Sequence, residues 1–569
     1  MKNAWRSPGA GAALLILLTV AAYLPVMHAG FIWDDEALIT NNRLVKANDG
    51  LYRFWFTSEA TDYWPLTSTL WWLEWRLWGA SPLGYHAVNV LLHAINAVLV
   101  WMVLRRLKIP GAWLAALVFA IHPVNVATAA WVSEQKNTLS MLFYAAAILL
   151  YLKFDKEGCW HWYVFSLVAF LLALLSKAAV VMLPVVLLGC AWWIHNRLRW
   201  KDFLRTAPFF ILSAALGLVT IRFQYHHRIA VGLAAQSVSL ASRFATAGSV
   251  PWLYLYKAVL PLSLTAVYPK WQVDASHWVS YVPGVIFAGG LALFWWKRNT
   301  WGRPLLFGFG YFVVMLFPVL GFLDQSFHRL SSVADHWQYY SIIAPIALVV
   351  VAGEWIGRRL SEQGRHWGAA LGVAVLMALG VATWTRANVY ADAETLWRDN
   401  VAKNPDAWVA HYNLATELQT AGKLLEAGEQ YEQTLRLRPG YAEAENNLGI
   451  TLAQAGRLPE AVMHFERALQ INPDLADVHG NLGHALMLLG DEAKAMGHWE
   501  RALQIKPDNA EVHYDLGQAL EQMGNPEQAI GHYEQALRLK PDYAEARASL
   551  QLAQQALARL RAHETSDQR

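Results

Sequence analysis

10-AGAALLILLTVAAYLPVMHAGFIWDDEALITNN-42 sets the terms on which this chain must fold. Residues 10–28 carry no acid, lysine or arginine, and a run of about 20 mostly apolar residues is what a bilayer crossing needs. The run ends on Trp33, and then come Asp34, Asp35 and Glu36. A lone acid at a membrane exit marks the interface or caps the next segment. Three in a row between an aromatic and an apolar stretch repel one another in a poorly solvated place, which raises their pKa values unless a cation is near. Such a group suits a general base for a hydroxyl acceptor, or a cation site.

Working outward, the chain has 569 residues, is 56% hydrophobic and carries 29 Trp, with only 16% charged residues where a soluble chain has about 25%. The apolar excess stops near Thr385. Eleven segments read as spans: 10–28, 84–104, 111–130, 138–153, 161–176, 178–195, 207–223, 278–296, 304–322, 338–357 and 367–385. Basic clusters follow every second one: Lys2 and Arg6; Arg105, Arg106 and Lys108; Lys153 and Lys156; Arg197, Arg199, Lys201 and Arg205; Lys297, Arg298 and Arg303; Arg358, Arg359 and Arg365. One threading satisfies them all, with the N-terminus inside and the C-terminal part outside. The first segment has no small-x-small cleavage site and reads as uncleaved. Segment 244–262, broken by Pro251, Lys257 and Pro261, reads as an interfacial or re-entrant helix on the outer face. A net charge of +3, with basic residues in loops, gives no support to nucleic-acid binding, and two cysteines, Cys159 and Cys190, make no disulfide framework.

The C-terminal part repeats. Pro405, Pro439, Pro473, Pro507 and Pro541 stand 34 residues apart. Between them recur a Leu-Gly or Leu-Ala pair (414–415, 448–449, 482–483, 516–517), then Gly422, Gly456, Gly490 and Gly524. Alanines follow at 427, 461, 495 and 529, and aromatics at Tyr431, Phe465, Trp499 and Tyr533. That period and order is the tetratricopeptide signature. Four repeats over about 407–540 and a capping helix near 543–562 are expected. Asn413, Asn447, Asn481 and Asp515 share one position of the repeat. Either they grip the backbone of an extended acceptor peptide or they tie neighbouring helices together.

On this threading several polar loops meet on the outer face, and with them come candidate cations for a lipid-linked phosphate: Lys136, Lys177, Arg329 and, when protonated, His336. A lysine between apolar helices, as Lys177 is in 174-LLSKAAVVMLP-184, is usually functional. His122 precedes Pro123 in a span that bends toward this face, and it reads as readily as a helix-packing donor as a site residue.

The motifs 31-FIWDDEALITNN-42, 63-YWPLTSTLWWLEWRLWG-79, 122-HPVNVATAAWVSEQKNTLS-140, 174-LLSKAAVVMLP-184 and 334-ADHWQYY-340, in this order and followed by the repeats, resemble bacterial relatives of the transmembrane and tetratricopeptide-repeat O-mannosyltransferases. These are membrane glycosyltransferases of the GT-C class. The resemblance covers nearly the whole chain. It implies a multi-pass protein of the bacterial inner membrane with periplasmic repeats. Its chemistry would be inverting transfer of a sugar from a polyprenyl-phosphate carrier to a hydroxyl of a protein acceptor held by the repeats. The base falls on Asp34 or Asp35, with Asp35 preferred, and Glu36 joins Lys136, Lys177, Arg329 and His336 in donor binding. No metal is assigned; the alternative is a divalent ion among Asp34, Asp35 and Glu36, a better place than the adjacent pair His226 and His227. The family's late motif reads Ala-Asp-Arg-Tyr, and here His336 and Trp337 stand for its last two residues. The expected fold is thus all-α: a GT-C-like bundle of about eleven spans over 1–386, then a repeat solenoid over 387–569. The competing expectation is a membrane-anchored repeat scaffold without catalysis.

Overall fold

The computed structural model describes residues 8–230, 239–322 and 326–567, and all regular structure among them is helical. Among the described residues, seven helices are long and apolar enough to cross a membrane: Pro82–Arg106, Val132–Glu157, Ala178–His195, Trp200–Tyr225, Trp278–Trp296, Gly302–Val319 and Glu362–Val389. An eighth arises if Ala112–Ala120 and Pro123–Ala129, bent by 48° to each other, count as one span. Pro8–Ala22, Trp160–Ser176 and Ile343–Gly357 are apolar but shorter. Each of the eleven expected segments overlaps one of these helices. Leu240–Val259 does not pass the same test; it carries Pro251, and the Lys257 Nζ donates to the carbonyls of Leu262 (2.5 Å) and Ser263 (3.2 Å).

The bend decides where the site forms. His122 precedes Pro123, and a residue before proline is pushed out of the helical region; its φ and ψ are −80° and 126°. The carbonyls freed by the break lie inside the protein and find donors, which is the condition for irregular backbone at this depth. Thr383 Oγ1 donates to Ile121 O (2.6 Å), Asn125 Nδ2 to Phe119 O (2.7 Å), and Asn89 Nδ2 to the carbonyls of Thr128, Ala129 and Trp131 at 3.0–3.1 Å. His122 Nε2 lies 3.2 Å from Ala258 O, so this histidine serves packing.

The chain divides into Met1–Pro405 and Asp406–Arg569, later than the 386/387 boundary read from composition. The reason is the helix Ala393–Lys403. Its polarity resembles that of the repeats, yet it packs on the first unit: Asn400 Oδ1 accepts from Thr265 Oγ1 (2.9 Å) and Val267 N (2.7 Å), and Arg386 pairs with Asp399 at 2.7 Å.

The second unit is four helical hairpins, from Trp408–Thr420 with Leu424–Leu437 to Ala510–Gln522 with Pro526–Leu539, followed by Ala544–Asp567. Gly422, Gly456, Gly490 and Gly524 have φ between +73° and +84°, the left-handed turn that ends each first helix. Ala427, Ala461, Ala495 and Ala529 are fully buried, and Tyr431, Phe465, Trp499 and Tyr533 are 0–2% exposed. A methyl at Gly483 would come within 2.5 Å of the Trp499 ring, whose Nε1 donates to Gly480 O at 3.2 Å. Gly483→Ala therefore forces the indole out of place and is expected to destabilise the repeat unit by about 1–3 kcal/mol, measured by thermal denaturation followed by circular dichroism.

Candidate functional site

The acid stretch is shaped by Trp33, whose φ of +49° is one that a bulky residue adopts only under constraint. The constraint is aromatic. Trp33 stacks on Trp131 (centroids 5.0 Å, planes at 5°) and meets the edge of Trp397 at 4.8 Å. This turn sends the two aspartates in different directions. Asp35 is fully buried, and its carboxylate accepts from Ile32 N (3.0 Å) and Ser133 N (2.6 Å), which ties the acid loop to the segment after the bent pair. Burial pushes its carboxyl up to about 7, while the two amides oppose that rise. Asp34 instead lines a cavity of about 390 Å³.

Into that cavity come Asp62 and Trp64, then Trp131, Glu134, Lys136 and Asn137, then Lys177, Gln224, His336 and Tyr340. Glu134 is its electrostatic centre. Only 2% exposed, it accepts from Lys136 Nζ at 3.0 Å, Lys177 Nζ at 3.2 Å and Asn137 Nδ2 at 2.5 Å. Lys136 also stands over the Trp64 ring, 4.8 Å from its centroid. One carboxylate thus holds two ammonium groups, and the Asp34 and Asp62 carboxyls share the same cavity with them. Lys177 occupies the break after Trp160–Ser176, where Thr67 Oγ1 (2.9 Å) takes up the Ser176 carbonyl and Ser140 Oγ (2.9 Å) that of Ala173. Burial lowers its pKa to about 8, with Glu134 working against the fall. Burial also raises the Asp34 carboxyl above its ordinary value, Lys136 drawing it down and Glu134 pushing it up. Asp62, which accepts from Gln224 Nε2 at 3.1 Å, is raised by burial too.

The residues singled out in the sequence are distributed as follows. Asp34, Lys136, Lys177 and His336 line the one cavity. His336 packs its ring against Trp131 and Phe327, and burial lowers its pKa to about 4. It is therefore neutral at neutral pH, and the lysines carry the positive charge. Glu36 is exposed in the turn Glu36–Thr40, and Arg329 closes the turn Ser326–Arg329; neither lines the cavity. Asp34, Asp35 and Glu36 do not converge, and no cluster of three or more metal-ligating side chains occurs among the described residues. In the repeats, Asn447 Nδ2 donates to Tyr412 Oη (3.1 Å) and Asn481 Nδ2 to Asn446 Oδ1 (2.9 Å), so both bridge to the preceding repeat. Asn413 Nδ2 has no hydrogen-bond partner among the described residues, and burial raises the Asp515 carboxyl to about 6.

Asp62, Trp64, Glu134 as a clamp, Asn137, Gln224 and Tyr340 were not anticipated as site residues. Glu134 could have been, since 134-EQK-136 sets an acid beside a lysine at an apolar helix start; nothing in the sequence pairs Asp62 with Gln224, 162 residues away.

Comparison with known proteins finds matches to both parts of the chain. The family described as dolichyl-phosphate-mannose-protein mannosyltransferase matches residues 62–225, and tetratricopeptide-repeat families match 412–476 and 474–542. A Protein O-mannosyl-transferase of Caenorhabditis elegans is 24% identical over 453 residues, covering 76% of this chain and 63% of that protein. Protein O-mannosyl-transferase Tmtc1 of Drosophila melanogaster is 32% identical over 185 residues, covering 30% of this chain and 21% of its own length. TMTC3 of Mus musculus is 28% identical over 191 residues, covering 32% and 21%. The matches span less than two thirds of each of these relatives. The chain is a multi-pass protein, all-helical among the described residues, with tetratricopeptide repeats, and 76% of it is similar to a protein O-mannosyl-transferase of Caenorhabditis elegans.

Proposed function

We propose that this protein is a membrane glycosyltransferase that moves a sugar from a polyprenyl-phosphate carrier to an acceptor hydroxyl, on the side of the membrane where Asp34 lies. In this reading the membrane is a bacterial inner membrane, the repeats are periplasmic, and they hold a protein acceptor. The observation that carries it is one cavity lined by an acid above its ordinary pKa and by two lysines clamped on a shared glutamate. Asp34 takes the proton of the acceptor hydroxyl. The oxygen attacks the anomeric carbon from the face opposite the phosphate, the carbon–oxygen bond to the phosphate breaks, and its electron pair leaves with polyprenyl phosphate. Configuration inverts. The phosphate is already a good leaving group, and Lys136 and Lys177 meet the charge it gains. His336, neutral where the resemblance expects an arginine, contributes shape and ring contacts rather than charge.

The test is sugar transfer to a periplasmic acceptor against pH, read as added intact mass. Asp34 must be ionised, so activity rises as pH climbs through its raised pKa; Lys177 must be protonated, so activity falls as pH passes about 8. A bell with its alkaline limb near 8 is expected. Absence of any added mass from a lipid-linked sugar at every pH would turn the reading toward a repeat scaffold.

A further inference from the structure

A second polar cavity lies at the other end of the bundle. The helix Gln135–Glu157 carries Lys136 at its start and Lys153 and Lys156 at its end, so at about 1.5 Å per residue the two cavities stand roughly 25–30 Å apart, about a bilayer's hydrocarbon thickness. This second cavity has a volume of about 900 Å³ and is lined by Arg105, Arg106, Lys108, Lys153 and Lys156, with Asp155 as its acid. Asp155 is already engaged, by His195 at 2.7 Å and Arg205 at 3.1 Å. The five basic side chains make no ion pair with any described carboxylate, and Arg106 Nη2 is buried with no hydrogen-bond partner among the described residues. A buried donor left unmade is costly, so it marks a place where an acceptor belongs.

Positive residues at these helix ends serve orientation in any membrane protein. The neighbouring space goes beyond that. A separate chamber of about 340 Å³, walled almost wholly by apolar side chains such as Val103, Ile148, Phe307 and Leu348, shares Leu107 and Trp193 with the basic cavity. A polar basic mouth that adjoins an apolar chamber matches an amphiphile with an anionic head.

We infer that this pair of cavities is a binding site for a membrane phospholipid with an anionic phosphate headgroup, the phosphate on Arg106 and its basic neighbours and a hydrocarbon chain in the apolar chamber. Basic pockets between spanning helices are where such headgroups bind. The chemistry is that of a phosphate-headed lipid in general, and the membrane phospholipid is the source chosen because the site stands a membrane's thickness from the cavity of Asp34. The site does not depend on the transferase reading.

The test is native mass spectrometry of the full chain in detergent, titrated with phosphatidylglycerol, phosphatidylcholine or polyprenyl phosphate. Wild type is expected to retain phosphatidylglycerol well above phosphatidylcholine. Arg106→Gln/Lys156→Gln, which leaves Arg105, Lys108 and Lys153 to hold the orientation, should weaken phosphatidylglycerol binding about thirtyfold while phosphatidylcholine is unchanged. Equal retention of the two phospholipids by wild type, or an unchanged preference in the variant, overturns the proposal. Displacement of phosphatidylglycerol by much lower concentrations of polyprenyl phosphate would reassign the site to the carrier. Since wild type alone supplies the first comparison, poor folding of the variant would leave the proposal open to refutation.

Discussion

Asp34→Asn is expected to lower kcat for sugar transfer by about 10²–10⁴-fold while the protein remains folded. The side chain lines the cavity, where it interacts with Lys136 through charge and makes no hydrogen bond among the described residues. Asp35→Asn should behave differently. Its carboxylate satisfies two buried amides, Ile32 N and Ser133 N, and an asparagine turns an NH₂ donor toward one of them. That costs about 1–3 kcal/mol of stability, seen as a lower Tm, whereas the molecules that fold retain most of their kcat. The sequence reading preferred Asp35 as the base; the proposed function gives that role to Asp34, and comparing kcat with Tm in the two single variants separates chemistry from support. Wild-type kcat in Asp34→Asn would remove this residue from the reaction.

Glu134→Gln carries the second large effect. Its carboxylate is the shared partner of Lys136 and Lys177, whose side chains are 8% and 16% exposed. An amide leaves two ammonium groups facing each other in a poorly solvated wall. Removing one member of a buried ion-pair cluster costs about 3–5 kcal/mol, so a marked fall in thermal stability is expected together with loss of transfer. Glu134→Gln/Lys177→Met removes one of the stranded charges and should recover part of the stability without recovering activity. If Glu134→Gln unfolds at the wild-type temperature, the clamp is not what holds these lysines.

These expectations rest on features of unequal legibility. The motif 122-HPVNVATAAWVSEQKNTLS-140 drew attention to a segment whose Trp131, Glu134, Lys136 and Asn137 line the cavity, and His122-Pro123 predicted a bend in it. That the bend is tolerated depends on Asn89 and Thr383, residues from other helices whose reach no local pattern encodes. Likewise 31-FIWDDEALITNN-42 announced three acids, but not that Trp33 would twist its backbone against Trp131 and Trp397 and so split their roles. Two aromatics brought from sequence-distant segments set that φ, and a one-dimensional pattern holds no record of them.

The sequence by itself determined what is periodic or cumulative. Runs of apolar residues with basic clusters between them specify spans because hydrocarbon and charge exclude each other over the length of a helix. A 34-residue recurrence of glycine, alanine and aromatic specifies hairpins because each unit needs the same close approach and the same filler. Tertiary structure alone decided what depends on convergence. It drew Ala393–Lys403 to the membrane part through Asn400, left Glu36 outside the cavity and brought Asp62 to Gln224. It also made Glu134 the shared partner of two lysines. A charged side chain takes its place from whichever opposite charge or amide lies within about 3 Å once the helices have packed, and that distance is fixed by the fold and not by neighbours in the chain.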